Sequence, residues 1–174
     1  ETDPRFVADL SECHTAIPAI GGALPALSAL VGSLTGRRSI PQIEFIAGDG
    51  ALAGGEPRES GVLALVFRHL ETLSEGDREK LAAFAKAHAM AIFLQPGGPD
   101  TVAPLWPEHV DLYFDLVEHG VRLAFRPLDF IQVNAGLNRA MIARAIELLA
   151  LRPGDRVLDL FCGLGNFTLP IAKL

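Results

Sequence analysis

The sequence predicts an α+β domain with a mostly antiparallel sheet over residues 1–126, joined to the first elements of an α/β domain over residues 127–174. Three observations carry this. Short apolar runs separated by turn residues, with two stretches at helical spacing, fill the larger first part, and their hairpin-like connections favour an antiparallel sheet with helices on one face. A helix-forming stretch, Ala135 to Leu149, then leads to Arg156-Val157-Leu158, a short apolar run that reads as a buried strand. That run feeds Asp159 and a glycine-bearing turn, the arrangement that puts a ligand at the carboxyl end of a strand in open α/β sheets.

Each element has a local reason. Residues 1–20 carry prolines and read as loop. From Ala23 to Leu34, the residues Leu27, Leu30, Val31 and Leu34 follow helical spacing, and Gly36 is a natural stop. Pro41 to Ala47 reads as a strand, the glycine-rich stretch Gly48 to Ser60 as a hairpin loop, and Val62 to Phe67 as a second strand. Ser74 caps a helix running to about His88, with Asp77 near its start and Leu81, Phe84 and Ala85 on one face. Ala91 to Leu94 is a further strand, and Gln95 to Pro107, with four prolines, reads as a loop. Asp111–Leu116 and Val121–Phe125 form a hairpin around Glu118-His119-Gly120. Asn134, a favoured N-cap residue, opens the helix Ala135–Leu149.

The most informative stretch is Asp159-Leu160-Phe161-Cys162-Gly163-Leu164-Gly165-Asn166-Phe167-Thr168-Leu169-Pro170. Gly163 and Gly165 let the backbone pass close to a ligand where side-chain bulk would block it. The residues after the turn are apolar and glycine-free, and suit a helix. As a dinucleotide fingerprint the motif is incomplete, because Thr168 stands where G-x-G-x-x-G has its third glycine. An NAD-linked α/β oxidoreductase therefore stays open as an alternative. So does a non-catalytic RNA-binding module made of the first domain alone.

Phe130-Ile131-Gln132-Val133-Asn134-Ala135-Gly136 and Asp155 through Pro170 together resemble the RNA uracil-C5 methyltransferases, with the closest likeness to enzymes that methylate a uridine of 23S ribosomal RNA. A looser likeness runs upstream through Asp77-Arg78-Glu79-Lys80-Leu81 to Cys13. The resemblance implies a Rossmann-like, S-adenosylmethionine-dependent methyltransferase domain from residue 127 onward and ribosomal RNA as partner. It carries cofactor contact onto Gln132, Phe161 and Asn166, and onto Gly163 and Gly165 in the turn. Phe130 becomes a stacking surface for a base taken out of its stack. The alternative for Phe130 is core packing. In the family a downstream cysteine attacks C6 of uracil, C5 takes the methyl group, and a base removes the C5 proton. No residue of this chain is expected to fill either catalytic role, so the chain reads as a segment of a longer enzyme, inactive alone.

Composition bounds the rest. Of 174 residues, 49% are hydrophobic and 21% charged, enough for a real core, with no apolar run of transmembrane length. The net charge of −6 argues against broad phosphate binding. Arg37, Arg38, Arg58, Arg68, Arg122 and Arg126 are read as scattered solvated charges rather than a patch. Cys13 and Cys162 make no disulfide framework. Cys162 is read as a small buried filler. For Cys13 the resemblance implies one ligand of a 4Fe-4S cluster, in which three further cysteines would precede Glu1; the alternative is a free thiol. The five histidines are not spaced as metal ligands, and His88 is read as compensating a helix end. The expected location is cytoplasmic, away from membranes.

Overall fold

A computed structural model describes residues 10–52 and 61–174. Strands β1 (Gln42–Gly48), β2 (Val62–Arg68), β3 (Ala91–Gln95) and β4 (Ala103–Trp106) form one sheet in that order. The outer pairings are antiparallel and β2–β3 is parallel. Strands β5 (Tyr113–Leu116) and β6 (Val121–Ala124) make a separate antiparallel pair. The helices are α1 (Pro18–Gly21), α2 (Leu24–Ser33), α3 (Glu75–His88), α4 (Ala135–Leu149) and α5 (Thr168–Ile171).

Strand β2 shows why its sequence is continuously apolar. Leu65 and Phe67 face α2 and α3, packing with Leu27, Leu34, Leu81 and Ala85. Ala64 and Val66 face the other way, into a cluster with Ile46, Phe93, Leu112 and Phe125. A strand covered on both faces loses the alternation of a half-buried one. Helix α3 is capped by Ser74, whose hydroxyl accepts from Asp77 N–H at 3.1 Å. The buried Asp77 carboxylate in turn accepts from Thr35 N–H at 2.8 Å, Thr35 Oγ1 at 3.0 Å and Gly36 N–H at 2.9 Å. Burial raises its pKa, but these hydrogen bonds outweigh burial and hold it below the usual carboxylate range.

The chain passes from the four-stranded sheet to the hairpin along a seam of backbone contacts. Asp49 N–H donates to the Tyr113 carbonyl at 2.7 Å, and Asp111 N–H to the Ala51 carbonyl at 3.2 Å. Beyond the hairpin, Leu116, Val121 and Leu123 pack on Ile142 of α4, with Ile146, Leu164 and Phe167 at the margin. Side chains on both sides of residue 126 thus share one packing region.

Three expectations need correction. The stretch 95–107 is not all loop: Ala103–Trp106 pairs with β3. It lies at the sheet edge, where Pro104 removes no ladder bond that an interior strand would need. Residues 18–20, read as loop, fall in the short α1, with Pro18 at the first position where a missing N–H costs nothing. Arg156-Val157-Leu158 is neither strand nor buried: the run is extended and exposed, Leu158 at 79%. Among the described residues no strand lies beside it, and a strand without a ladder partner keeps its amides in water. The expected loop 48–60 falls partly outside the described residues, and Arg58 wholly so.

Candidate functional site

The segment before α4 and the glycine turn before α5 converge on a cleft of about 170 Å³. Its walls include Phe130, Ile131 and Gln132 on one side and Asp159, Phe161, Cys162, Gly163 and Asn166 on the other, with Phe114 and Phe167 behind. Of the expected site residues, Phe130, Gln132, Phe161, Gly163 and Asn166 all line it. Gly165 lies behind the wall, buried. Cys13 is not part of it.

The local backbone explains the shape. Asn134 caps α4, its side-chain oxygen accepting from Leu137 N–H at 2.9 Å, so the chain turns sharply from residues 130–133 into the helix. Across the cleft, Phe161, Gly163 and Gly165 have φ of +62°, +57° and +87°. For glycine such values are free; for phenylalanine they are strained, and strain of this kind concentrates at ligand sites. At Gly165 a Cβ would also stand 3.1 Å from Leu169 Cγ. The turn is closed by Gly165 N–H donating to the Cys162 carbonyl at 2.9 Å. Thr168, standing where a third glycine would be, donates its hydroxyl to Asp159.

Phe130 is 81% exposed, so core packing is excluded for it, and Phe161 is fully exposed. Gln132 is exposed. Asn166 is tied to the neighbouring helix: Asn138 Nδ2 donates to its Oδ1 at 2.9 Å, and its Nδ2 donates to Asn138 Oδ1 at 2.7 Å. Asn138 was not legible as a site residue. The available signal is an asparagine four residues before Ile142 on the buried stripe of α4, where a polar residue needs a partner.

Cys162, expected buried, is exposed at the cleft wall. A wider hollow of about 460 Å³ lies on the far side of Asp159, between residues 151–157 and the last turn of the chain. Its walls come from the turn at residues 151–155, Val157 and Asp159, and the end of the chain, and of the expected site residues it holds none. Cys13 has a thiol drawn below its usual pKa, first by the Thr15 side chain and then by backbone hydrogen bonds from Thr15 and Ala16. Among the described residues no three His, Cys, Asp or Glu side chains cluster as a metal site. Arg122 is engaged by Asp115, its Nε and Nη2 donating at 2.8 Å each, and sits over the Tyr113 ring. No described helix is long and apolar enough to cross a membrane.

Over its full length the chain is 59% identical to the 23S rRNA (uracil(1939)-C(5))-methyltransferase RlmD of Xanthomonas axonopodis pv. citri. It is 61% identical over 173 residues to the enzyme of that name from Xanthomonas campestris pv. campestris, and 56% to that from Xylella fastidiosa. The chain spans 36–37% of the length of these curated relatives. The model of the tRNA (Uracil-5-)-methyltransferase family matches residues 62–174, from β2 through the cleft to the last residue. With well over half of its residues inside that match, the chain belongs to the tRNA (uracil-5-)-methyltransferase family.

Proposed function

We propose that the chain serves, within a longer polypeptide like its relatives, in S-adenosylmethionine-dependent methylation of uracil C5 in 23S ribosomal RNA. The observation that carries this is the convergence of residues 130–132 and 159–167 on one cleft. The residues there fit the cofactor. Phe161 gives an exposed apolar face, Gln132 and Asn166 give amides that both donate and accept, and the positive-φ turn keeps side chains clear. When bound, S-adenosylmethionine supplies the methyl group. This chain's residues bind and orient: Gln132, Phe161 and Asn166 hold the cofactor, Gly163 admits it, Gly165 shapes the turn from behind the wall, and Phe130 stacks on the extruded base. The attacking cysteine and the base belong to sequence outside these residues, in a Rossmann-like domain that begins near residue 127.

Cys13 offers a thiol, the ligand that such clusters use, and would fill one position of a 4Fe-4S cluster. The other three thiolates would come from outside this chain, and no step of the reaction is assigned to the cluster. An rRNA substrate implies a cytoplasmic location. The family match favours this reading over the NAD alternative, whose fingerprint lacks its third glycine at Thr168. The test is to give the full-length protein unmodified 23S rRNA and methyl-labelled S-adenosylmethionine. Label on uracil C5 is expected. Label on adenine or on protein would overturn the substrate assignment, and RNA binding without S-adenosylmethionine binding would favour a non-catalytic module.

A further inference from the structure

We infer that Asn138 is a positioning residue of the cofactor cleft, acting through Asn166; this rests on the methyltransferase reading above. Asn138 is 3% exposed, one turn into α4 beyond its cap. Its amide meets that of Asn166 in both directions, at 2.9 and 2.7 Å, across 28 residues of sequence. A primary amide has two N–H groups and two lone pairs on its oxygen. The reciprocal pair uses one of each on Asn166 and leaves one N–H and one lone pair for a ligand. It also fixes which is where. Turning the Asn166 amide alone would set oxygen against oxygen and nitrogen against nitrogen.

The pair has a second effect. The wall containing Phe130 and Gln132 is continuous with the N-terminus of α4, which Asn134 caps and Ile142 anchors in the core. The opposite wall is a turn with three residues at positive φ, closed on itself by few bonds. Asn138 joins the rigid wall to the pliable one and so sets the width of the cleft. Sites hold ligands well when such supporting contacts lock the contacting side chains beforehand.

The experiment uses the full-length protein and measures S-adenosylmethionine affinity by calorimetry together with the thermal midpoint. The variants are Asn138→Ala, Asn166→Ala, the double variant and Leu81→Val. Asn138→Ala is expected to weaken binding about tenfold, within the cost of leaving a buried amide unpaired. The double variant should bind no worse than Asn166→Ala, because the two act as one unit. Leu81→Val, in the core between α3 and the four-stranded sheet and away from the cleft, should lower the thermal midpoint without changing affinity, which separates positioning from general loss of stability. If Asn138→Ala does not fold, Asn138→Leu fills the same space without the amide and should show the same loss. Unchanged affinity in the Asn138 variants, or losses that add in the double variant, would overturn the inference. Failure of the unmodified protein to bind S-adenosylmethionine would instead overturn the functional reading.

Discussion

Gln132, Asn166 and Asp77 are polar side chains with contrasting parts to play. Gln132 and Asn166 each stand at the end of an element, so their replacement should spare the fold. In the full-length protein, alanine at either is expected to weaken S-adenosylmethionine binding by about 1–3 kcal/mol, measured by calorimetry. Equal affinity in both variants would remove them from the site. Asp77 is the opposite case, buried and accepting three hydrogen bonds from Thr35 and Gly36. Its folded pKa lies below the unfolded value. The stability it contributes is therefore fully present above the unfolded carboxylate pKa and is lost as pH falls through the folded value. Asp77→Asn should lower stability by about 1–3 kcal/mol at neutral pH and flatten the acid limb of the stability curve in urea melts. Gln132, Phe161 and Asn166, which line the cleft, stand out in the sequence because a known motif holds them. Asn138 does not, because its meaning lies in a partner 28 residues away that no local pattern signals.

At the scale of elements, what could be read depended on whether a segment carries its own reasons. Helices α3 and α4 announce themselves by a capping residue and an apolar stripe, and both caps are made as expected, at Ser74 and Asn134. Strand β4 was hidden by Pro104, because an edge strand tolerates a residue that an interior strand excludes. Residues 156–158 went wrong for the reverse reason. They are apolar and short enough for a strand, but pairing is a property of two segments, and none of those described lies alongside. Hydrogen exchange should show this contrast directly. The amides of Leu65, Val66 and Phe67 should exchange near the rate of global unfolding, and those of Val157 and Leu158 close to the rate of free peptide. Protection of 156–158 in the isolated 174-residue chain would mean that it finds a partner there.

For the molecule as a whole, the distribution of apolar surface is uneven. The sheet and its two flanking helices hide their large side chains, while Leu148, Leu149, Leu158, Leu160, Phe161 and Leu174 are exposed near one another in sequence. So many large apolar side chains left in water within one stretch of chain are an association hazard. The 174-residue chain alone should therefore enhance the fluorescence of a hydrophobic dye and self-associate at rising concentration, and it should transfer no label to rRNA. Transfer by this chain would refute the assignment of the nucleophile elsewhere. A different consequence follows from the seam between the sheet and the hairpin. At Gly50 a Cβ would lie 1.6 Å from the Asp111 carbonyl oxygen, inside an atom's own radius, and the obstacle is backbone that cannot swing aside. At Gly76, on the surface of α3, nothing stands within 4 Å. A saturation library selected for folding should return glycine alone at position 50 and a broad alphabet at position 76. Heredity would then hold the first glycine fixed and let the second drift, though both are the same letter and neither touches the cleft.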